Sequence, residues 1–365
     1  MSAATTASDM RAAADAMNEA TKAALPFDEV ELDLAIQSLR GLAPTADDSV
    51  DWEALRELYA KCAHRSHKQW GQTGDAASLL AKIIEGPDSA CFEQIFKRVL
   101  KDGNWMTAVA QRPVDAKPWV VLVTGLNGIR KTTSVHSPWF QELLKEALGD
   151  QFDGEVAELP NGGNAFFRQL DYMIATLACE RFRKLYTIDD DVALYSEYKA
   201  GIFARYRTLA EVLGVLLVRA AQAKGLNVMV ETSGRDVGMY KYVDTFFPDG
   251  AYRKLVLNFE IDDISFAERS VDVRMAREMV TGKAALEDGT SPAIVSVNAG
   301  GPYGSAVLAG VQADSRKVWR YIGEGVDGVA STWFKASIVI EADADKSWRA
   351  RAAGTGNTSF EFGEL

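Results

Sequence analysis

Trp119-Val-Val-Leu-Val-Thr-Gly125-Leu-Asn127-Gly128-Ile-Arg130-Lys131-Thr132-Thr133 is the stretch that decides the fold. An apolar run, Val120 to Val123, passes directly into a glycine-bearing loop that ends in Lys-Thr. A phosphate cradle needs this order of parts. A buried parallel strand holds the loop, and glycines let backbone N–H groups turn inward onto phosphate oxygens. Lys131 would reach the β- and γ-phosphates of ATP, and the Thr132 hydroxyl would ligate Mg²⁺. The spacing Gly125-x4-Arg130-Lys131-Thr132 keeps the count of G-x4-G-K-[ST] with one departure: Arg130 stands where the second glycine belongs, and Gly128 is a displaced substitute. Read as a cradle, the loop makes Gly125, Asn127, Gly128, Arg130, Lys131, Thr132 and Thr133 the nucleotide-binding set, with Thr132 as the metal ligand. The competing reading is an ordinary glycine-rich strand-to-helix turn, and Arg130 is its best support.

Composition sets the frame around that loop. The chain has 365 residues, enough for one large or two modest domains. Its 47% hydrophobic and 25% charged content is ordinary for a globular protein. A formal charge of −11 argues against a general nucleic-acid binder, whose footprint is basic. Any phosphate site must then create its positive field locally, from Lys131 and nearby arginines. Three widely spaced cysteines, Cys62, Cys91 and Cys179, form no disulfide framework and read as reduced, buried thiols, as the cytosol favours. No run approaches the roughly 18–20 apolar residues that span a membrane. The expected location is therefore cytoplasmic, or an organelle after removal of a transit peptide.

Four segments are expected along the chain. Residues 1–25, rich in Ala, Thr and Ser, read as a frayed or weakly helical tail. Residues 26–110 read as an all-α module, with Asp28 and Glu31 as a capping box, Gly41 as a stop, and Asp51 capping a helix that carries Leu55, Leu58, Tyr59 and Cys62 on one face. Residues 117–350 alternate strand and helix, as a parallel α/β sheet with helices on both faces requires, and 351–365 form a C-terminal tail. Strands are expected at Val120–Thr124, Gly154–Leu159, Asn227–Thr232, Lys254–Ile261 and Ser337–Ala342. Helices are expected at about Pro138–Leu148, Ala165–Leu185, Arg207–Lys224 and Ile264–Met279. Ser137-Pro138 predicts a break after the loop, because proline suits a fresh first turn and not a helix interior.

Two further constellations carry chemistry. Asn227-Val-Met-Val-Glu231-Thr232-Ser-Gly234-Arg235 places an acid, a hydroxyl and an arginine at the C-terminal end of a strand, the edge where ligands bind in an open parallel sheet. Glu231 can hold Mg²⁺ through water or bind a substrate hydroxyl, and Thr232 and Arg235 can contact phosphate or substrate. A polar strand end with a turn at Gly234 is the plainer reading. After the strand ending in Ile261, a helix carries Arg269, Arg274 and Arg277 within reach of Glu268, Asp272 and Glu278. Such arginines either neutralise a transferring phosphoryl group or pair with those acids on a solvated face.

Together these three signals resemble the zeta-toxin family of phosphate-loop kinases. The likeness is clearest in the Glu231 to Arg235 block, continues through the strand Lys254–Ile261 and the arginine-bearing helix, and thins over Ala293–Asn298. It covers about 117–343 and leaves the N-terminal module outside. The resemblance implies a P-loop kinase-like fold and ATP-dependent phosphorylation of a hydroxyl, in that family on UDP-activated amino sugars. It implies Lys131 and Thr132 on triphosphate and Mg²⁺, with Glu231, Thr232 and Arg235 on the substrate side. One or two of Arg269, Arg274 and Arg277 would serve as lid arginines.

Two departures stand out. Arg130 replaces a loop glycine, so its side chain either points away or itself meets phosphate. The family places an aspartate base just after the second strand. With that strand read as Gly154–Leu159, the nearby carboxylates are Glu158 and Asp171, with Arg168 beside them for an anionic acceptor across the loop Asn161-Gly-Gly-Asn164. The run Asp189-Asp190-Asp191 reads as a charged helix cap ahead of a divalent-ion site. Cys62-x-His64-x-x-His67 is a weak metal pattern, since a helix turns Cys62 away from the histidines. Asn298-Ala-Gly-Gly-Pro-Tyr-Gly304-Ser is a flexible loop able to close over substrate.

The leading expectation is thus an ATP- and Mg²⁺-dependent small-molecule kinase acting on a hydroxyl acceptor, with the N-terminal module as a platform for a protein partner. The alternative is a degenerate nucleotide-binding kinase fold serving as a regulatory or structural subunit. A kinase for the 5′-hydroxyl of a nucleic acid is disfavoured by the net charge.

Overall fold

The computed structural model describes residues 7–44, 50–85, 89–298, 300–342 and 347–353, and the backbone of 359–362. Six helices precede the first strand: α1 (Ala7–Lys22), α2 (Glu29–Leu42), α3 (Trp52–Cys62), α4 (Trp70–Ile83), α5 (Ala90–Asp102) and α6 (Trp105–Ala110). Then come β1 (Trp119–Thr124), α7 (Lys131–Val135), α8 (Phe140–Leu148), β2 (Ala165–Arg168), α9 (Leu170–Leu177), α10 (Cys179–Leu185) and the long α11 (Val192–Ala223). The rest runs β3 (Asn227–Glu231), α12 (Gly238–Phe246), β4 (Arg253–Ile261), α13 (Ile264–Asp288), α14 (Ser291–Val297), α15 (Leu308–Gly323), β5 (Phe334–Ala342), β6 (Trp348–Ala352) and β7 (Ser359–Phe362).

The strands of the described residues form one sheet in the order β2-β3-β1-β4-β5-β6-β7. The first five in that order are parallel, with Val123 level with Glu231 on one side and Leu257 on the other. β6 and β7 extend the sheet antiparallel. Every residue of β1 is buried, so the central strand is covered on both faces, as its unbroken apolar sequence requires. This is the α/β class with a mostly parallel sheet expected from the sequence. From β1 the chain crosses to β2 on one side, and from β4 to β5 on the other. The crevice outside the C-terminal ends of β1 and β4 is therefore the topological switch point, where such sheets bind ligands.

The chain clusters into two compact units that interleave along the sequence: residues 1–101, 169–220 and 272–304 form a helical unit, and 102–168, 221–271 and 305–365 form a unit that holds the sheet. This division differs from a helical module at 26–110 followed by one α/β domain. In the helical unit, α1–α5 are joined by α9, α10, α14 and most of α11 and α13. An ion pair explains part of the joining: Arg205 of α11 meets Glu31 of α2 at 2.6 Å and also donates to the carbonyls of Leu25 and Pro26. The capping box at Asp28 and Glu31 and the Asp51 cap form as expected.

Several elements correct the expectations. The segment 1–25 is no frayed tail over its described part, because Met10, Ala14 and Met17 bury one face of α1, with Gly201 of α11 beneath Ala14 and Met17. Gly41 does not end α2, which runs to Leu42; a Cβ at Gly41 would fall 2.7 Å from Ser291 Oγ, so the residue serves packing. The expected strand Gly154–Leu159 is absent. Val156 to Glu158 form a 3₁₀ turn closed by Glu155 and Glu158, and the second strand is Ala165–Arg168, inside what read as one helix. The helix read at Arg207–Lys224 begins at Val192 instead. The C-terminal tail holds the end of β6 and all of β7, whose short Trp-Arg-Ala-Arg-Ala and Ser-Phe-Glu-Phe alternations are strand patterns of period 2. The break at Pro138 is real: α7 stops at Val135 and α8 starts at Phe140. No described helix is long and apolar enough to cross a membrane.

Candidate phosphate-loop site

Within the sheet unit, the loop 125–130 leaves β1 at the C-terminal edge and feeds α7. Gly125 and Gly128 both have positive φ, +127° and +85°. A Cβ on Gly128 would lie 2.8 Å from the Ala267 carbonyl oxygen and 3.0 Å from Val271, so the loop presses directly on the first turns of α13. Arg130 also takes the left-handed conformation, φ 67° and ψ 20°, at the N-cap of α7. Its backbone thus does what the missing glycine would do. Its guanidinium lies 5.8 Å from the centre of the Phe266 ring, within cation–π range.

Lys131 is the centre of the site. It is only 3% exposed, and its Nζ donates to the carbonyls of Gly125 at 2.8 Å and Leu126 at 2.6 Å. It also meets Glu231 Oε1 at 3.0 Å across the β1–β3 pair. The Thr132 hydroxyl, on the exposed side, donates to the other oxygen of Glu231 at 3.3 Å. One carboxylate therefore holds the two groups that a phosphate and a divalent ion would claim. The block after β3 is also ordered: the Thr232 N–H donates to the Val123 carbonyl, the Gly234 N–H approaches the Thr232 hydroxyl at 3.4 Å, and Asp236 Oδ1 accepts from the Gly238 N–H at the start of α12. Arg235 is exposed beside this edge.

A shallow, narrow crevice lies at the switch point itself. Leu126 and Ile129 of the loop, Asn258, Glu260 and Ile261 of β4, and Gln312 and Arg316 of α15 are among its walls. Thr124 donates to Asn258 at 2.9 Å, and Asn258 in turn donates to Glu260 at 2.9 Å, so these side chains are fixed in a row. The sequence reading missed Asn258, Glu260, Gln312 and Arg316. The available signal was two polar residues, 258 and 260, on one face of an otherwise apolar strand.

Glu158 is not where a base for this site must be. It pairs with Arg253 at 3.3 Å, and its carbonyl accepts from Trp119 Nε1, which puts it at the N-terminal end of β1 and β4. The six residues of β1 separate that end from the loop by about 16 Å at ~3.3 Å per residue. The Glu155 N–H and the Arg253 guanidinium also hold the Glu158 carboxyl below the ordinary carboxylate range, away from a base poised near neutrality. Arg168 is no open anion binder: it is 2% exposed, on β2, with its guanidinium 4.8 Å from the Tyr242 ring centre. The loop Asn161–Asn164 enters β2 at its N-terminal end, tied to Asn104 and Asn227.

The remaining predicted residues belong to the helical unit. Asp171 is half-buried in the first turn of α9, three residues after the end of β2, and its carbonyl accepts from Asn298 Nδ2 at 3.0 Å. Arg274 is half-buried and donates to the Gly301 carbonyl at 3.2 Å, whereas Arg277 is exposed. Arg269, in the sheet unit, is exposed and donates to the Ser265 hydroxyl. The acidic run acts as a cap: Asp191 Oδ1 accepts from the Leu194 N–H at the start of α11, Asp191 also pairs with Arg11, and Asp189 pairs with Lys283. Among the described residues, no three His, Cys, Asp or Glu side chains gather as metal ligands.

No protein-family profile matches the sequence. No curated protein matches it either. Among solved structures, a chain from the PezAT chromosomal toxin–antitoxin system of Streptococcus pneumoniae is similar over 70% of this chain and 79% of its own, at 10% identity and a TM-score of 0.39. The order of parts in the sheet unit is a glycine-bearing loop on β1, Glu231 to Arg235 at the end of the neighbouring β3, and an arginine-bearing helix after β4.

Proposed function

We propose that this protein is an ATP- and Mg²⁺-dependent phosphotransferase that moves the γ-phosphoryl group to a hydroxyl of a small molecule, a nucleotide sugar. The observation that carries this reading is the joint hold of Lys131 and Thr132 by Glu231 at the C-terminal edge of β1. A glycine-built loop, a buried ammonium and an exposed hydroxyl fit a triphosphate with its metal. Mg²⁺ usually needs only one or two protein oxygens besides phosphate and water, so the Thr132 hydroxyl suffices. Gly125, Asn127, Gly128, Arg130 and Thr133 complete the loop.

When bound, ATP supplies the phosphoryl group and Mg²⁺ neutralises its charge; the protein positions and stabilises. Lys131 gives up its carboxylate partner to phosphate oxygens. Glu231, Thr232 and Arg235 then serve the acceptor side, and the resemblance gives Arg274 and Arg277 of α13 the part of lid arginines. With the second strand placed at Ala165–Arg168, Asp171 stands just after it, where the resemblance puts the base, and is assigned to accept the hydroxyl proton. Arg168 supports β2 and α12 in this reading and does not bind the acceptor.

The test combines titration of Mg²⁺·ATP with transfer from γ-labelled ATP to a panel of nucleotide sugars, nucleosides and small alcohols. Lys131→Ala is expected to lower transfer by about a thousandfold with the fold intact. Asp171→Asn is expected to keep ATP binding and lose about 10²–10⁴ in kcat. Full turnover in Lys131→Ala would sink the mechanism. ATP binding without turnover in the native chain would instead favour a nucleotide-sensing subunit, the reading that Arg130 supports.

A further inference from the structure

A second lysine–glutamate pair lies wholly inside the helical unit. Lys199 of α11 and Glu278 of α13 are both 0% exposed at their side chains, and Lys199 Nζ meets the two carboxylate oxygens at 2.8 and 2.9 Å. The Tyr195 hydroxyl donates to Glu278 Oε1 at 2.6 Å. Burying such a pair costs several kcal/mol per ion, and an apolar pair of like volume often serves stability as well or better. Stability alone therefore gives no reason for it.

The surroundings supply one. Glu278 lies one helical turn beyond Arg274 on α13, so whatever fixes Glu278 also fixes the direction of Arg274. Arg274 donates to the Gly301 carbonyl, and a Cβ on Gly300 would sit 2.8 Å from Arg274 Nη1. The strap 300–304 is fastened to α11 at Ser196, which donates to the Pro302 carbonyl and accepts from the Gly304 N–H, both at 3.1 Å. Ser196 lies three residues before Lys199, on the same face of α11. At the near end of the strap Asn298 is fully buried and holds the Asp171 carbonyl, and its Oδ1 has no hydrogen-bond partner among the described residues. The circuit closes from α11 to α13, to the strap, to Asp171. Burial pulls the Lys199 ammonium below the ordinary lysine range, against the opposing pull of Glu278, with smaller contributions from the charges of Arg274 and Asp171.

We infer that the Lys199–Glu278–Tyr195 triad is a positioning device: it sets the rotation of α13 on α11, and through it the place of Arg274 and of the strap that runs back to Asp171. The consequence for catalysis rests on the roles assigned above to Arg274 and Asp171; the structural inference does not.

The experiment uses the full chain with Lys199→Met, Glu278→Leu, the double variant and Tyr195→Phe, followed by thermal melting and backbone hydrogen exchange. Either single charge variant is expected to melt roughly 10 °C lower, and the double variant within about 5 °C of the native chain. Despite that recovery, exchange at 274–278 and 300–304 is expected to run about tenfold faster in the double variant. Tyr195→Phe, which keeps the ion pair, is expected to speed exchange in the same segments with little loss of melting temperature, and it decides the question if the double variant does not fold. Native exchange in a stable double variant, or in Tyr195→Phe when the double does not fold, overturns the inference. Transfer to a UDP-activated amino sugar is read alongside. A kcat lowered about tenfold at unchanged ATP affinity links the triad to chemistry. A native chain that transfers nothing refutes the proposed activity, while the exchange result still decides the triad.

Discussion

Lys131 and Glu231 meet at 3.0 Å in the sheet unit, and Lys199 and Glu278 meet at 2.8 Å in the helical unit. The two pairs share their chemistry and differ in everything around it. Glu231 is 29% exposed, and Lys131 has two loop carbonyls in reserve, so that carboxylate can leave without stranding an ammonium. Glu278 has no exposed side-chain surface, and the Lys199 and Tyr195 groups that hold it are buried with it. A charge pair with a solvent-facing partner and substitute ligands is built for exchange. One sealed from water on both sides is built to stay, because removing either partner leaves a bare charge in low dielectric.

The largest expected difference tests that contrast directly. Glu278→Leu alone should cost about 3–5 kcal/mol, the usual penalty for an uncompensated buried charge. Glu231→Gln should cost no more than about 1 kcal/mol, since Lys131 keeps its carbonyl partners and the amide remains partly solvated. Urea denaturation of both variants compares them. Equal losses would mean that the site pair is structural too, and that the loop is not ready to release Lys131.

A smaller effect probes the frame around the exchangeable pair. Gly128→Ala would place a methyl group 2.8 Å from a helix carbonyl at a φ of +85°, and neither the loop nor the α13 backbone can yield cheaply. A cost of about 1–3 kcal/mol is expected, with weaker Mg²⁺·ATP binding as the loop is pushed off its seat. Calorimetric titration against the native chain reads it. Unchanged affinity together with unchanged stability would show that the loop tolerates movement and that its contact with α13 is incidental.

What was legible in the sequence follows the same division. The exchangeable pair could be approached because loop, lysine and threonine are adjacent in the chain, and Glu231 ends an apolar strand of the expected kind. The sealed pair brings together residues 79 apart on two helices, and no local pattern marks either as special. β2 was hidden for a related reason. Ala165-Phe-Phe-Arg168 is buried at all four positions, so it shows no alternation, and it runs straight into the helical period of α9. The apolar residues of 154–159 fell at Val156 and Leu159, a spacing that belongs to a turn of helix and not to a strand. With β2 at Ala165–Arg168 in place of 154–159, Asp171 is the one of the two candidate bases that follows the strand. The interleaved units were illegible because they depend on which face of α11 meets α1 and α2. By contrast, Asp28, Asp51 and the break at Pro138 act within a few residues of themselves, and each was read correctly.

The smallest expected effect concerns Arg130, the residue that most weakened the phosphate-loop reading. Its left-handed backbone costs a side-chain-bearing residue about 1–2 kcal/mol, which glycine would not bear. Against that gain, Arg130→Gly loses the Phe266 contact, worth about 0.5–1 kcal/mol at a partly exposed site, and loosens the unfolded chain by about 0.4–1 kcal/mol. These terms nearly cancel, so stability should move by less than about 1 kcal/mol in either direction. ATP affinity discriminates more sharply. With the guanidinium seated on Phe266, glycine restores the loop pattern without removing a ligand, and the Kd should stay within about threefold. A weakening beyond about tenfold would mean that Arg130 swings from Phe266 onto phosphate, which would make it a binding residue peculiar to this chain and bring the loop closer to Lys131 in importance.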